Sequence, residues 1–219
     1  MPSPVEVALF PIPSLVAFPG TVVPLHVFEP RYRQMIDDCV REKRMIGVCH
    51  TRKTIREAKP NQTQSEAMNS NQATYLPQEV FSAGYCEVIE TTADGRIMAE
   101  IHIEHRLKIV REIQSLPYRI VASESLEDII EPDQLGETIE QRNQELQILI
   151  NAKLLVMIGS ENPEFGALIN GAEWQSMSPE VFSFTLFQTL RFDPDLMQSI
   201  LESRSTQERL NIVWDYIRQ

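Results

Sequence analysis

The stretch from Leu9 to Tyr32 constrains this chain more than any other. It is the densest apolar run in the sequence, and Pro11, Pro13, Pro19, Pro24 and Pro30 punctuate it. Each proline fixes φ and removes a backbone donor, so no helix runs through the segment. Short extended pieces joined by bends are what remains. Phe18-Pro19-Gly20 predicts a turn, because proline pre-sets φ and glycine tolerates φ > 0. Thr21 to Phe28 then predicts a buried strand, and Pro30 suits the first position of a helix.

The rest of the first half continues this β-rich pattern. Glu6 to Leu9 alternates polar and apolar residues, as a short strand does. Tyr32, Met35, Ile36, Cys39 and Val40 recur at helical spacing and share one face of a helix ending near Arg44. Met45 to Cys49 predicts a strand. Thr54 to Thr74 is nearly without apolar residues, cannot bury enough surface to offset ordering, and predicts a mobile loop. Val80 to Glu90 predicts a strand with a bulge at Gly84. Ala93-Asp94-Gly95 predicts a tight hairpin turn. In Arg96 to Glu104, Ile97, Ala99, Ile101 and Ile103 face one side. Two further strands follow, Arg106 to Ile113 and Tyr118 to Leu126.

From about Pro132 the period switches to 3.6. Ile139, Leu146, Leu149, Ile150 and Leu154 mark a long helix that Gly159 ends. Glu161 to Gln175 predicts a loop. Ser178-Pro179 starts a helix that is apolar over much of its circumference and so belongs at the centre of a bundle. Asp193-Pro194 repeats that start signal. Ser205 and Glu208 have capping-box spacing, and Leu210, Val213, Trp214 and Ile217 form the stripe that follows.

Particular residues now carry a family resemblance. Leu9-Phe10-Pro11, Phe18-Pro19-Gly20 and Pro24-Leu25-His26-Val27-Phe28-Glu29-Pro30-Arg31-Tyr32 followed by Met35 closely resemble the start of the Lon N-terminal (substrate-binding) domain family. Asp94-Gly95-Arg96, Arg106-Leu107, Pro117-Tyr118 and Glu208-Arg209-Leu210 match later positions. The family includes the front end of the ATP-dependent Lon protease and free-standing proteins carrying the domain alone. Leu107 stands where the family usually has Phe, and Ile103-Glu104-His105 stands where a glycine usually precedes the arginine. The resemblance implies an α+β chain: a PUA-like, mostly antiparallel β domain with one helix over 1–127, then a C-terminal α-helical bundle over 128–219. It also implies recognition of unfolded or exposed protein segments.

Chemistry narrows the function further. No Gly-x-x-x-x-Gly-Lys-Ser/Thr phosphate loop occurs, Gly159-Ser160 lacks the nucleophile-elbow context, and the 219 residues leave no room for a protease domain. The expectation is a chain that is not an enzyme and needs no cofactor. His102-Ile103-Glu104-His105 and Cys49-His50 contain metal-ligand types but no complete set, so surface histidines and buried thiols are the preferred reading. Net charge is −11, which argues against a nucleic-acid surface. The acidic run from Glu124 to Glu145 reads as a solvated linker and helix face. Three cysteines without short spacing predict free thiols in a reducing compartment. No apolar run is long enough to cross a bilayer, and the first residues lack signal-peptide character, so the cytoplasm is expected. The sequence carries no signal of oligomeric state.

Binding is where the residues point. Extended Pro-rich segments beside a sheet present unpaired backbone and apolar grooves that peptides can occupy. Phe28, Glu29, Arg31, Tyr32 and Arg33 lie at the start of the first helix. They read either as a peptide-contacting rim or as a helix N-terminus packed on the sheet. A small-molecule or RNA-binding module, as PUA-like folds suggest, is the alternative, and a hydrolase is a distant third.

Overall fold

The computed structural model describes residues 3–58, 63, 66, 70–129, 138–159 and 162–218. Packing divides the chain into two units, Met1–Leu126 with Asp193–Leu201, and Glu127–Phe192 with Glu202–Gln219. The sequence expectation gave everything after residue 127 to the helical part, whereas Asp193–Leu201 groups with the β-rich unit.

The first unit contains β1 (Val5–Pro11), β2 (Val22–Val27), α1 (Pro30–Glu42), β3 (Met45–Cys49), β4 (Thr51–Arg56), β5 (Thr74–Pro77), β6 (Val80–Thr91), β7 (Ile97–Gln114) and β8 (Arg119–Ser125). Six strands follow the order β2-β7-β6-β3-β1-β8, and β7 also pairs with β8. That last pairing closes β7-β6-β3-β1-β8 into a ring. The 18-residue length of β7 makes closure possible. Its first half meets β2 and β6, and its second half meets β8. The sequence expectation of two separate strands here is therefore corrected to one continuous strand. Only β1 and β3 run parallel within this sheet. β4 and β5 form a separate two-stranded ribbon.

β2 corrects a second expectation. It is an edge strand with alternating burial, not a fully buried one. Pro24 sits there without cost, because an edge strand has one side with no ladder to supply. β1 is the buried strand: Val7, Ala8 and Leu9 are wholly inaccessible. Ala8 joins a cluster with Val27, Met35, Ile36, Ile46 and Ile101, while Val7 and Leu9 join one with Phe81, Leu107 and Val121. α1 buries Tyr32, Met35, Ile36 and Cys39, as its spacing predicts, but Val40 stays exposed.

The Pro-rich connection between β1 and β2 is pinned at several points. Ser82 Oγ donates to the Ala17 carbonyl at 2.6 Å. His50 Nδ1 accepts from the Ser14 amide at 3.0 Å. Gly20 takes φ +85° in the predicted turn, and its amide reaches the Ile103 carbonyl.

The second unit contains α2 (Ile139–Leu154), which runs on as a π turn over Leu155–Gly159, then α3 (Pro163–Asn170), α4 (Ala172–Gln175), α5 (Pro179–Thr189) and α7 (Thr206–Ile217). The intervening α6 (Pro194–Glu202) belongs to the first unit through Leu201. The loop expected over Glu161 to Gln175 contains α3 and α4. Asn162 caps α3 by accepting from the Phe165 amide, and Pro163 follows at the first helical position. α5 buries one face only, through Phe182, Ser183, Leu186 and Phe187, and Val181 is exposed. Nine residues of the Thr54–Thr74 stretch, and residues 130–137 of the acidic run, lie outside the described residues. Among the described residues no helix is long and apolar enough to cross a membrane.

Candidate functional site

Proline at position 30 opens α1, and the carbonyl of Glu29 accepts the first helical amides. The Glu29 side chain does not cap the helix. Its Oε2 instead accepts from Arg31 Nε at 3.0 Å and from the Gln72 amide at 2.9 Å. Arg31 then donates through Nη2 to the Ala73 carbonyl at 2.7 Å and through Nη1 to Thr74 Oγ1 at 3.2 Å. Its backbone amide reaches Asn71 Oδ1. Charge-assisted bonds of this kind are among the stronger ones a protein makes. The pair thus ties the start of α1 to the 71–74 segment, and the Arg31 side chain is only 9% exposed.

Tyr32 lies beneath this clamp. Its ring stacks on Phe10 with centroids 4.2 Å apart, and the Arg31 guanidinium sits 4.6 Å above it. Burial pushes its hydroxyl well above the usual phenol range, with Arg31 opposing. Phe28 is half-buried, edge-on to His26.

Arg33 points elsewhere. Its Nη1 donates to the Gly95 carbonyl at 3.1 Å, at the hairpin turn where Gly95 takes φ +82°. The structure therefore does not gather the five residues of the expected rim on one surface. Arg31 and Tyr32 line a cleft of about 340 Å³, and Arg33 lines a second one of about 570 Å³ with Gln34, Asp37 and Arg41.

The first cleft has the more distinctive lining. Ile55 and Arg56 come from β4, Thr74 and Tyr75 from β5, Leu116 and Pro117 from the β7–β8 turn, and Arg119 from β8. Leu116 is 78% exposed, the highest value of any large apolar residue among the described residues together with Val156, and Ile55 is 53% exposed. Arg119 pairs with Glu112 at 3.0 Å. Among the described residues the lining holds no carboxylate, imidazole or thiol. It offers cationic donors and apolar surface, which suits binding more than acid–base chemistry. Sequence reasoning missed Ile55, Arg56, Tyr75 and Leu116. The one signal was an aliphatic residue in a polar turn ahead of a proline, Ser115-Leu116-Pro117.

Of the weighed metal ligands, Glu104 Oε2 and His105 Nε2 lie 3.8 Å apart. Cys49 is buried, its thiol pushed up to about 12 by desolvation. His50 Nε2 lies 3.6 Å from Asp195 Oδ1. His102 Nε2 lies 3.5 Å from Glu87 Oε2. Among the described residues no three candidate ligands come together.

Comparisons with known proteins bear on this geometry. A profile of the ATP-dependent protease La (LON) substrate-binding domain matches residues 6–219. Lon protease 1 of Herpetosiphon aurantiacus is 22% identical over 214 residues, which cover 94% of this chain and 23% of that protein. The chain therefore spans less than a quarter of that relative. The crystal structure of a Lon N-terminal domain protein from Xanthomonas campestris superposes with a TM-score of 0.60 at 17% identity, covering 97% of this chain and 98% of the other. The N-terminal domain of Mycobacterium avium complex Lon protease gives a TM-score of 0.66 at 15% identity and covers 98% of each chain. These two likenesses establish the α+β fold.

Proposed function

The chain belongs to the substrate-binding domain family of the ATP-dependent protease La (Lon), and on that premise we propose that it is a non-catalytic module that holds exposed segments of other proteins. The observation that carries the proposal is the extent of the match: residues 6–219 are occupied by a substrate-recognition domain. The cleft beside α1 supports it with exposed Leu116 and Ile55 next to arginine, a lining suited to polypeptide that carries no nucleophile–base pair among the described residues. In this reading Arg31 and Tyr32 form the floor. Leu116, Tyr75 and Ile55 meet the bound segment. Phe28, Glu29 and Arg33 support the surrounding surface. The three free cysteines fit a cytoplasmic site of action.

The test is binding of the full chain to β-casein, an unfolded protein, by biolayer interferometry, with folded lysozyme as comparator. Micromolar affinity for β-casein alone is expected, corresponding to about 8 kcal/mol. Leu116→Ser removes exposed apolar surface without touching the core, and should weaken it. No β-casein signal at high micromolar concentration, from protein with native circular dichroism, would sink the proposal.

A further inference from the structure

The cleft beside α1 is cationic in an acidic protein. Among the described residues its lining includes Arg31, Arg56 and Arg119 and no aspartate or glutamate, although the chain carries a net charge of −11. Two of these arginines are already engaged, Arg31 with Glu29 and Arg119 with Glu112. Arg56 has no carboxylate partner among the described residues, and its side chain is exposed. One guanidinium is thus left facing solvent at the mouth of a cleft whose other walls include Ile55, Tyr75 and Leu116.

Resting on the peptide-binding reading above, we propose that this cleft selects extended protein segments in which a carboxylate side chain stands beside bulky apolar residues, with Arg56 receiving the carboxylate and Leu116 and Ile55 the apolar side chains. Three physical features carry it. A guanidinium presents its N–H groups in a planar fork that matches a carboxylate, and such bonds are charge-assisted. The overall negative charge opposes acidic segments only at long range, and at physiological salt that field is screened beyond about 8 Å. Within the cleft the local sign is therefore what the segment meets. Last, the β4–β5 ribbon pairs with no other strand among the described residues, so it retains backbone donors and acceptors for an extended guest.

The test uses fluorescein-labelled peptides read by fluorescence anisotropy against the full chain. The parent peptide is Ser-Leu-Phe-Glu-Leu-Ser with capped termini, and its two counterparts carry Gln or Lys in place of Glu. The parent should bind on the order of tenfold more tightly than the Gln peptide, and the Lys peptide weakest. Arg56→Gln should abolish the difference between Glu and Gln peptides. Leu116→Ser should weaken all three. Lys108→Gln, on exposed β7 away from the cleft, should leave the ranking intact. Equal affinity for Glu and Gln peptides overturns the inference, as does a preference that survives Arg56→Gln. If the peptides bind without charge preference while β-casein still binds, the inference fails and the function above stands. If neither β-casein nor any peptide binds, both fail.

Discussion

Among the described residues Arg209 is the most deeply buried charge. Its side chain is fully buried, with Nη1 and Nη2 donating to both oxygens of Asp128 at 2.9 and 2.7 Å. Nε donates to Ser183 Oγ, and the guanidinium lies 4.2 Å from the Phe184 ring centre. Asp128 falls in a run that reads as solvated linker, yet it anchors the entry to the helical unit. Removing one partner of a buried pair strands the other. Arg209→Met should therefore cost about 3–5 kcal/mol in urea unfolding of the full chain. An unchanged midpoint would show that the pair is not holding the unit together. The thiols give a pH prediction. Burial pushes Cys39 and Cys49 up to about 12, against 9.0 for a free thiol. Because the folded values are raised, this contribution is complete below about pH 9 and is lost as pH climbs toward 12. The urea midpoint should fall between pH 9 and 10.5, and fall less steeply in a Cys39→Ala/Cys49→Ala variant. Equal slopes in the two proteins would refute the assignment. Residue identity alone flagged these thiols as buried. It could not flag Arg209, since arginine is rarely inside.

At the scale of elements, bulges and caps decide register. β6 and β7 slip register between Ala83 and Gly84. A Cβ at Gly84 would stand 1.7 Å from the His102 carbonyl oxygen and 2.6 Å from its carbon. Backbone cannot swing aside as a side chain can. Gly84→Ala should therefore destabilise by about 1–3 kcal/mol or more, read by thermal unfolding, and a native melting temperature would contradict this geometry. The glycine was legible as a bulge, and the capping residues Ser178 and Ser205 as helix starts, because both follow from local backbone chemistry. At Ser205 the side chain accepts from the Glu208 amide as expected, but the Glu208 carboxylate accepts from Ser203 Oγ. The complete capping box is Thr138 with Gln141. The buried side of α2 was not legible. It consists of Asn143, Gln147, Ile150, Asn151 and Leu154, whereas Leu149 is exposed. Gln147 donates to the Met177 carbonyl, and Asn151 accepts from Trp174 Nε1. A hydrophobic period cannot reveal a helix face chosen for hydrogen bonds to neighbouring segments.

At the scale of the whole molecule, the chain leaves the β-rich unit at Leu126 and returns to it as α6. Gln198 Nε2 donates to the Val80 carbonyl at 3.0 Å, and Arg106 Nη1 donates to the Leu201 carbonyl at 3.1 Å. Arg106 also bonds the Leu126 carbonyl, so one buried guanidinium holds both the exit and the return. A chain cut after Leu126 loses α6 and leaves Arg106 short of an acceptor, which is costly in a buried site. Such a fragment should show reduced near-ultraviolet circular dichroism and a lower unfolding midpoint than the full chain. A fragment as stable as the whole would mean that α6 is dispensable. By itself the sequence missed β4 and β5, where a mobile loop is expected from Thr54 to Thr74, but it determined β1, β2, β3, β6 and β8 and most of the helices, the turns at Gly20 and Gly95, and the inward faces of α1, β7 and α7. Each depends on chain-local rules of φ, period and capping. Tertiary structure alone decided that β7 closes the ring, that α6 belongs with the strands, and that Arg31 and Arg33 face different clefts. It also brought Ile55, Tyr75 and Leu116 to one wall. Those outcomes depend on which distant segments meet, and no local pattern of residues encodes such a meeting.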